Sequence, residues 1–278
     1  MITEVALRLY AAKKEGIIRS NAQFWREYSH GDKITHLSVK PEKYVSEIEK
    51  AGISLICALD DGFPPLPDSK PSEKPYLFAY KGDISLLYDR ANNIAVVGTL
   101  TPSPKVLRRE RAAVEALTKR GLHIVSGLAE GCDTAAHEEC LRRGGKTIAF
   151  LPSTIPHIYP KANAPLAESI VQNGGLIITE YIAEPETRYE RVRRLIERDR
   201  LQAMFAGNIL LVASNLPGQG DSGSRHAMEK AKTYGAGRFV LYDRTTDADD
   251  PLFALNRQLL GDGASIFTRN ALNSLSYP

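Results

Sequence analysis

The chain is poor in the residues that build covalently stapled or metal-held folds. Among its 278 residues only three are cysteines, Cys57, Cys132 and Cys140. Their odd number and the lack of CxxC spacing exclude a disulfide framework and a zinc site, leaving buried, reduced thiols as the expectation. No stretch approaches the roughly 18 apolar residues that a membrane span needs. The N-terminal MITEVALRLYAAKKEG has helical periodicity but neither the unbroken apolar core nor the small-residue cleavage site of a secretion signal, so a cytoplasmic location is expected. Neither sign of charge dominates: 36 basic and 33 acidic residues give a formal net charge of +3. Binding to a polyanion would therefore have to come from a local patch. No P-loop, Ser-His-Asp arrangement or metal cluster can be assembled, so neither an enzyme nor a cofactor is expected.

What the sequence does have is regular alternation. From Ile94 onward, short β-rich runs alternate with helical stretches: IAVVG, LHIVSG, TIAFLP, LIITEY, ILLVAS and RFVLYD. Runs that are apolar on both faces and separated by helices indicate a parallel sheet covered on both sides. The fold class is α/β, a Rossmann-like, doubly wound, mainly parallel sheet of about six strands with a short helical N-terminal segment. The proline-rich FPPLPDSKPSEKP cannot be helix or central strand and serves as an extended connector. Upstream, YVSEIEKAG and ISLICAL form a helix and a strand that extend the sheet. This divides the chain into an N-terminal helical segment, 1–40, and an extended Rossmann-like domain, 41–278.

In such a sheet, ligands bind beyond the carboxyl ends of the strands, where helix N-termini present free N–H groups to anions. Ser126, Gly127 and Gly131 lie in SGLAEG, which follows a strand and opens a helix; small residues there let a phosphate approach the backbone, or simply let helix pack on sheet. Ser222, Gly223 and Ser224 follow ILLVAS and start a helix, offering hydroxyls and N–H groups at a positive helix end, with an ordinary N-cap as the plainer reading. Between about 188 and 206, Arg191, Arg194 and Arg198 recur at i, i+3, i+7 along one helix face, with Arg193 and Arg200 nearby. Such a stripe could neutralise successive phosphates. Glu190, Glu197 and Asp199 are placed to pair with it, so a solvated, salt-bridged face is the alternative. Lys161, after IYP, is a further candidate phosphate contact. Asp133 and His137, four apart on a helix, lack a third metal ligand and are expected to make structural hydrogen bonds.

Four segments in order, SGLAEGCDTAAH, TIAFLPSTIPHIYP, ERDRLQAMFAGNILLV and SGSRHAMEKA, resemble the DNA-processing protein A (DprA, also called Smf) family, with weaker similarity over roughly residues 40 to 270. The resemblance implies homodimers, binding of single-stranded DNA without strong sequence preference, and delivery of that DNA to a RecA-type recombinase, with no enzymatic activity. It sets Arg198 and Arg200 on the family's Arg-Asn-Arg motif, with Asp199 in place of the asparagine. The family's Gly-Ser-Arg after the first strand is Gly98, Thr99 and Leu100, so a pocket arginine is replaced. No winged-helix module, which many members carry, is expected within these residues.

Three functions compete. The first is a single-stranded DNA binder in transformation, recombination or sensing of foreign DNA. The second is a nucleotide-phosphate sensor or a hydrolase like the cytokinin-activating phosphoribohydrolases, whose Pro-Gly-Gly-x-Gly-Thr-x-x-Glu motif PGQGDSGSRHAMEKA resembles loosely, with Glu229 the nearest acid. The third is an interaction scaffold that no longer uses the site.

Overall fold

The computed structural model describes residues 2–220 and 223–275. In chain order the elements are α1 (Glu4–Lys14), α2 (Asn21–Glu27), α3 (Val45–Ala51), β1 (Ser54–Cys57), β2 (Leu77–Gly82), β3 (Asn93–Val97), α4 (Pro104–Thr118), β4 (His123–Ser126), α5 (Cys132–Arg142), β5 (Thr147–Phe150), α6 (Ala164–Gln172), β6 (Leu176–Thr179), α7 (Arg188–Met204), β7 (Asn208–Leu211), α8 (Ser224–Thr233), β8 (Gly237–Val240), α9 (Ala254–Gly261), β9 (Ser265–Ile266) and α10 (Arg269–Ser274).

The nine strands of the described residues join one sheet in the order β1-β2-β6-β5-β4-β3-β7-β8-β9. The six apolar runs become β3 to β8, mutually parallel wherever they are neighbours. The expected six strands are nine, because β1 and β2 add an antiparallel edge beside β6 and a two-residue β9 pairs with β8. ISLICAL supplies β1, the strand expected to extend the sheet, whereas β2 goes unmarked because no helix stands between it and β1.

The chain winds outward from β3 through β4 and β5 to β6, then returns along α7 to place β7 on the other side of β3. The topological switch point therefore lies between β3 and β7, and the carboxyl ends of the strands around it form the expected ligand edge. Because α7 has to cross back over β5 and β4, it is the longest helix described, at 17 residues. Its start is fixed locally: Thr187 accepts from the N–H of Glu190, and Glu190 Oε2 accepts from the N–H of Glu186. That reciprocal capping satisfies two donors otherwise left unpaired at a helix N-terminus.

The strands alternate their side chains between two apolar layers. Ala95, Val97, Val125, Ile148 and Phe150 pack under Leu201, Met204 and Phe205 of the α7 side, where the Phe150 and Phe205 rings stack at 5.5 Å. Ile94, Val96 and Ile124 face Val114 and Leu117 of α4 and Ala136 of α5. Helices α1 and α2 share a third cluster with β1, β2, β5 and β6, including Tyr10, Phe24, Tyr76, Ala149 and Ile177. Burial of a ring such as Phe205 contributes about 1.5–3 kcal/mol. All three cysteines are buried and free, and no described helix is long and apolar enough to cross a membrane.

Candidate functional site

The arginines of α7 do not form one solvent-facing stripe. Arg191 is exposed, but Arg194, Arg198 and Arg200 are 6%, 4% and 6% exposed. The i, i+3, i+7 spacing does place Arg191, Arg194 and Arg198 on one side, yet past the first turn that side faces the protein. Arg200, two residues after Arg198, projects to nearly the opposite side. Arg194 donates through Nε and Nη2 to Glu190 Oε1 and through Nη1 to the carbonyl of Ala183, and its guanidinium lies 4.6 Å from the Tyr181 ring centre. Arg200 grips Glu180 with two bonds of 2.7 Å and donates also to the carbonyls of Glu73 and Glu197. Although burial works against the ionised form, Arg200 and Lys13 hold the Glu180 carboxyl below its usual range. The pairing predicted from sequence is present as well, with Arg193 3.6 Å from Glu197.

Arg198 enters the carboxyl edge of the sheet. Its Nη1 donates to the carbonyl of Phe150 at 3.4 Å and lies 3.6 Å from Asp133 Oδ2, while its Nε lies 3.3 Å from Asp199 Oδ1. A Cβ built on Gly127 would stand 1.0 Å from that Nη1, so only glycine leaves room for the guanidinium. Gly127 thus admits an internal arginine, where the sequence pointed to an incoming phosphate. The N–H groups of Gly127 and Ala129 donate to Asp133 Oδ2 at 3.1 and 3.3 Å, so an internal carboxylate already fills the anion-accepting turn. Burial raises the Asp133 carboxyl above its ordinary value against the pull of Arg198. Ser126 is fully buried and donates to the carbonyl of Val96. Gly131 has φ +78°, and a Cβ there would meet the carbonyl oxygen of Leu100 at 2.4 Å, so it serves close packing against the loop after β3. His137 bonds Thr147 through Nδ1 at 2.7 Å, the structural role expected of it.

Gly223 and Ser224 stand at the start of α8, Ser224 buried; Ser222 lies outside the described residues. Lys161 is exposed, and Asn163 anchors its turn by donating to the carbonyl of Leu128 and to Thr134 Oγ1, both at 2.8 Å. Lys161 therefore sits beside the loop after β4. Glu229 is exposed and pairs with Arg225 at 2.7 Å.

Together these elements frame a groove of about 640 Å³ over the switch point. Its walls are largely apolar: Leu100, Ala129, Val192, Leu195, Ile196 and Pro217, with Arg198, Asp199 and Arg225 among the polar groups. Leu100, Val192 and Ile196 are 47%, 49% and 44% exposed, and Tyr189 at the start of α7 is 79% exposed. Beneath it a space of about 20 Å³ reaches Asp133, Gln202 and Ser224. Sequence reasoning missed this apolar character because Leu100, Val192 and Ile196 are far apart along the chain or resemble the core positions of an ordinary amphipathic helix. It also missed Glu180, although an acid directly after the apolar strand LIIT, at the carboxyl edge, was a usable signal.

Glu110 on α4 is fully buried behind the edge, near Cys132 and Asp133, and neither carboxyl oxygen has a hydrogen-bonding N–H or O–H. Burial raises its carboxyl well above the ordinary value. A carboxyl that stays neutral when folded but ionises when unfolded favours unfolding as pH rises past the unfolded-state value of about 4.3. The stability of Glu110→Gln relative to the wild type should therefore increase from pH 4 toward pH 8. Urea midpoints across that range check this, and a gap independent of pH would show that Glu110 is ionised in the fold.

Residues 54–275 match the family model of DNA recombination-mediator protein A. DNA processing protein DprA of Streptococcus pneumoniae is 36% identical over 163 residues, 59% of this chain and 52% of that protein. Protein Smf of Escherichia coli is 30% identical over 186 residues, 66% and 48% of the two chains. The chain thus spans about half the length of these curated relatives. The solved structure of the S. pneumoniae protein superposes with a TM-score of 0.77 at 25% identity, covering 100% of both chains. DNA processing protein A from Helicobacter pylori, which has a single-stranded DNA binding mode, superposes with a TM-score of 0.61 at 27% identity over 76% of this chain and 94% of its own. With the doubly wound sheet, the glycine turns of its carboxyl edge and a family match running from β1 past the end of α10, the chain belongs to the DNA recombination-mediator protein A family.

Proposed function

We propose that the protein binds single-stranded DNA across the carboxyl edge of its sheet and acts in DNA recombination or uptake by handing that strand to a RecA-type recombinase. The observation that carries this reading is the apolar groove over the switch point, in a chain of this family. Unpaired bases expose apolar faces that a groove lined by Leu100, Val192, Ile196 and Pro217 can cover regardless of sequence. The exposed cations Lys161 and Arg191 are available at this edge for the phosphates, Arg225 stands there paired with Glu229, and Tyr189 offers a ring for stacking. Arg198 shapes the edge from below, while Arg194 and Arg200 line the other flank of α7. In this reading the protein works as a homodimer and is a binder, with no reaction of its own.

Titration of a fluorescent oligo-dT strand at several salt concentrations tests it. Affinity should fall linearly in log–log form, and the slope should become shallower by about 0.7 for each phosphate contact removed in Lys161→Ala and Arg191→Ala. Absence of binding at low salt would sink the reading.

A further inference from the structure

On the other flank of α7, between it and the helices α1 and α2, lies a second cleft of about 500 Å³, well within the size range of small-molecule sites. Its walls carry six cationic side chains (Lys13, Arg19, Arg193, Arg194, Arg200 and Lys230) against four carboxylates. Each carboxylate has a cation beside it: Glu180 with Arg200, Glu190 with Arg194, Glu197 with Arg193, and Glu73 with Lys230 at 2.8 Å. Among the described residues Lys13 and Arg19 make no salt bridge, although Lys13 is attracted by the Glu180 carboxylate. Lys13 donates to the carbonyl of Glu180 at 2.7 Å and sits 4.9 Å from the Tyr76 ring centre, while Arg19 Nε donates to the carbonyl of Gly16. Tyr76, a residue of the cleft wall, is 1% exposed, its ring is stacked on Phe24 at 4.4 Å, and its buried hydroxyl has no hydrogen-bond partner among the described residues. Leaving such a hydroxyl buried and unpaired is costly, so the fold retains it against a gradient that a ligand oxygen would remove.

We propose that this cleft binds a small phosphate monoester of nucleoside-monophosphate size, with Lys13 and Arg19 as its charge partners and the Tyr76 hydroxyl as a donor. The excess of two cations over carboxylates in the wall matches the charge of roughly −1.5 to −2 that a phosphate monoester carries near neutral pH. The volume leaves room for an organic body as well as the phosphate. Burial lowers the Lys13 ammonium to about 8, against the pull of Glu180 and with the push of Arg200 and Arg194, so an anion beside it restores its full charge. The cleft joins α1 and α2 to α7 and α8, and its occupant ties those helices together. The inference does not depend on the single-stranded DNA reading, which uses the other flank of α7.

Calorimetric titration of the full chain with AMP, inorganic phosphate and adenosine tests the proposal. AMP should bind one-to-one, inorganic phosphate more weakly and adenosine not measurably. AMP affinity should fall at least tenfold in Arg19→Ala and Lys13→Met and several-fold in Tyr76→Phe, which keeps the ring packing. Circular dichroism of each variant separates loss of the site from loss of the fold, and Arg19→Ala changes an exposed side chain only. Oligo-dT affinity of Arg19→Ala should equal that of the wild type. No AMP binding at millimolar concentration, equal binding of adenosine and AMP, or unchanged AMP affinity in well-folded variants would each overturn the proposal. So would loss of oligo-dT binding in Arg19→Ala, which would make the cleft part of the DNA path.

Discussion

Replacing Arg200 by methionine should destabilise the protein by about 3–5 kcal/mol, because it leaves the Glu180 carboxylate buried without its bidentate partner. Both side chains are 7% exposed, so water cannot take over from the guanidinium. For a chain of this length that corresponds to a fall of roughly 6–20 °C in melting temperature. The double replacement Arg200→Met, Glu180→Met should recover most of the loss, since two apolar side chains need no compensating charge. Differential scanning calorimetry of the two variants makes the comparison. A wild-type-like melting temperature for Arg200→Met would mean that the pair is hydrated in solution and that Arg200 is available to DNA after all. The prediction bears on function, because weak DNA binding by an Arg200 variant would reflect the fold and not a lost phosphate contact.

Restoring the arginine that the family resemblance expects, by Leu100→Arg, should raise affinity for oligo-dT on the order of tenfold near 0.1 M salt, the gain of one charge-assisted contact. Leu100 is 47% exposed on the groove wall, so the new side chain has space to extend. One added phosphate contact should also steepen the salt dependence by about 0.7. Adding Asp199→Asn, which removes the carboxylate 3.3 Å from Arg198 Nε, should move affinity further in the same direction. Fluorescence anisotropy over a salt series reads both quantities. Weaker binding by Leu100→Arg would show that the native leucine holds bases through apolar contact that outweighs an added charge. An unchanged slope would place the strand's backbone away from the loop after β3.

Much of the architecture was legible because it depends on local periodicity. Runs such as IAVV and TIAF are almost wholly apolar, as a strand buried on both faces requires, and every one of these positions is buried. The connector and the helix of residues 188–204 were legible for similar reasons, through proline chemistry and 3.6-residue spacing. The antiparallel β1 and β2 edge was only half visible, since pairing between distant segments leaves no short-range mark.

The candidate site was legible as a location and much less as a set of contacts. The loops after β4 and β7 fall at the carboxyl edge as expected, yet the arginines of α7 divide among three environments. Arg191 faces solvent, Arg198 fills the space over Gly127, and Arg200 locks Glu180. Helical spacing fixes the angle between side chains on one helix but carries no information about which angle faces the protein. The sequence by itself determined the fold class, the placing of the candidate site at the carboxyl ends of the strands and the family, because these follow from local patterns and from ordered motifs. Only the tertiary structure decided which cations are spent on internal carboxylates. That outcome depends on where Glu180, Asp133 and Glu73, distant in sequence, are carried by the crossing of α7 and the packing of α1 and α2, and a buried charge takes the nearest opposite charge that the fold supplies.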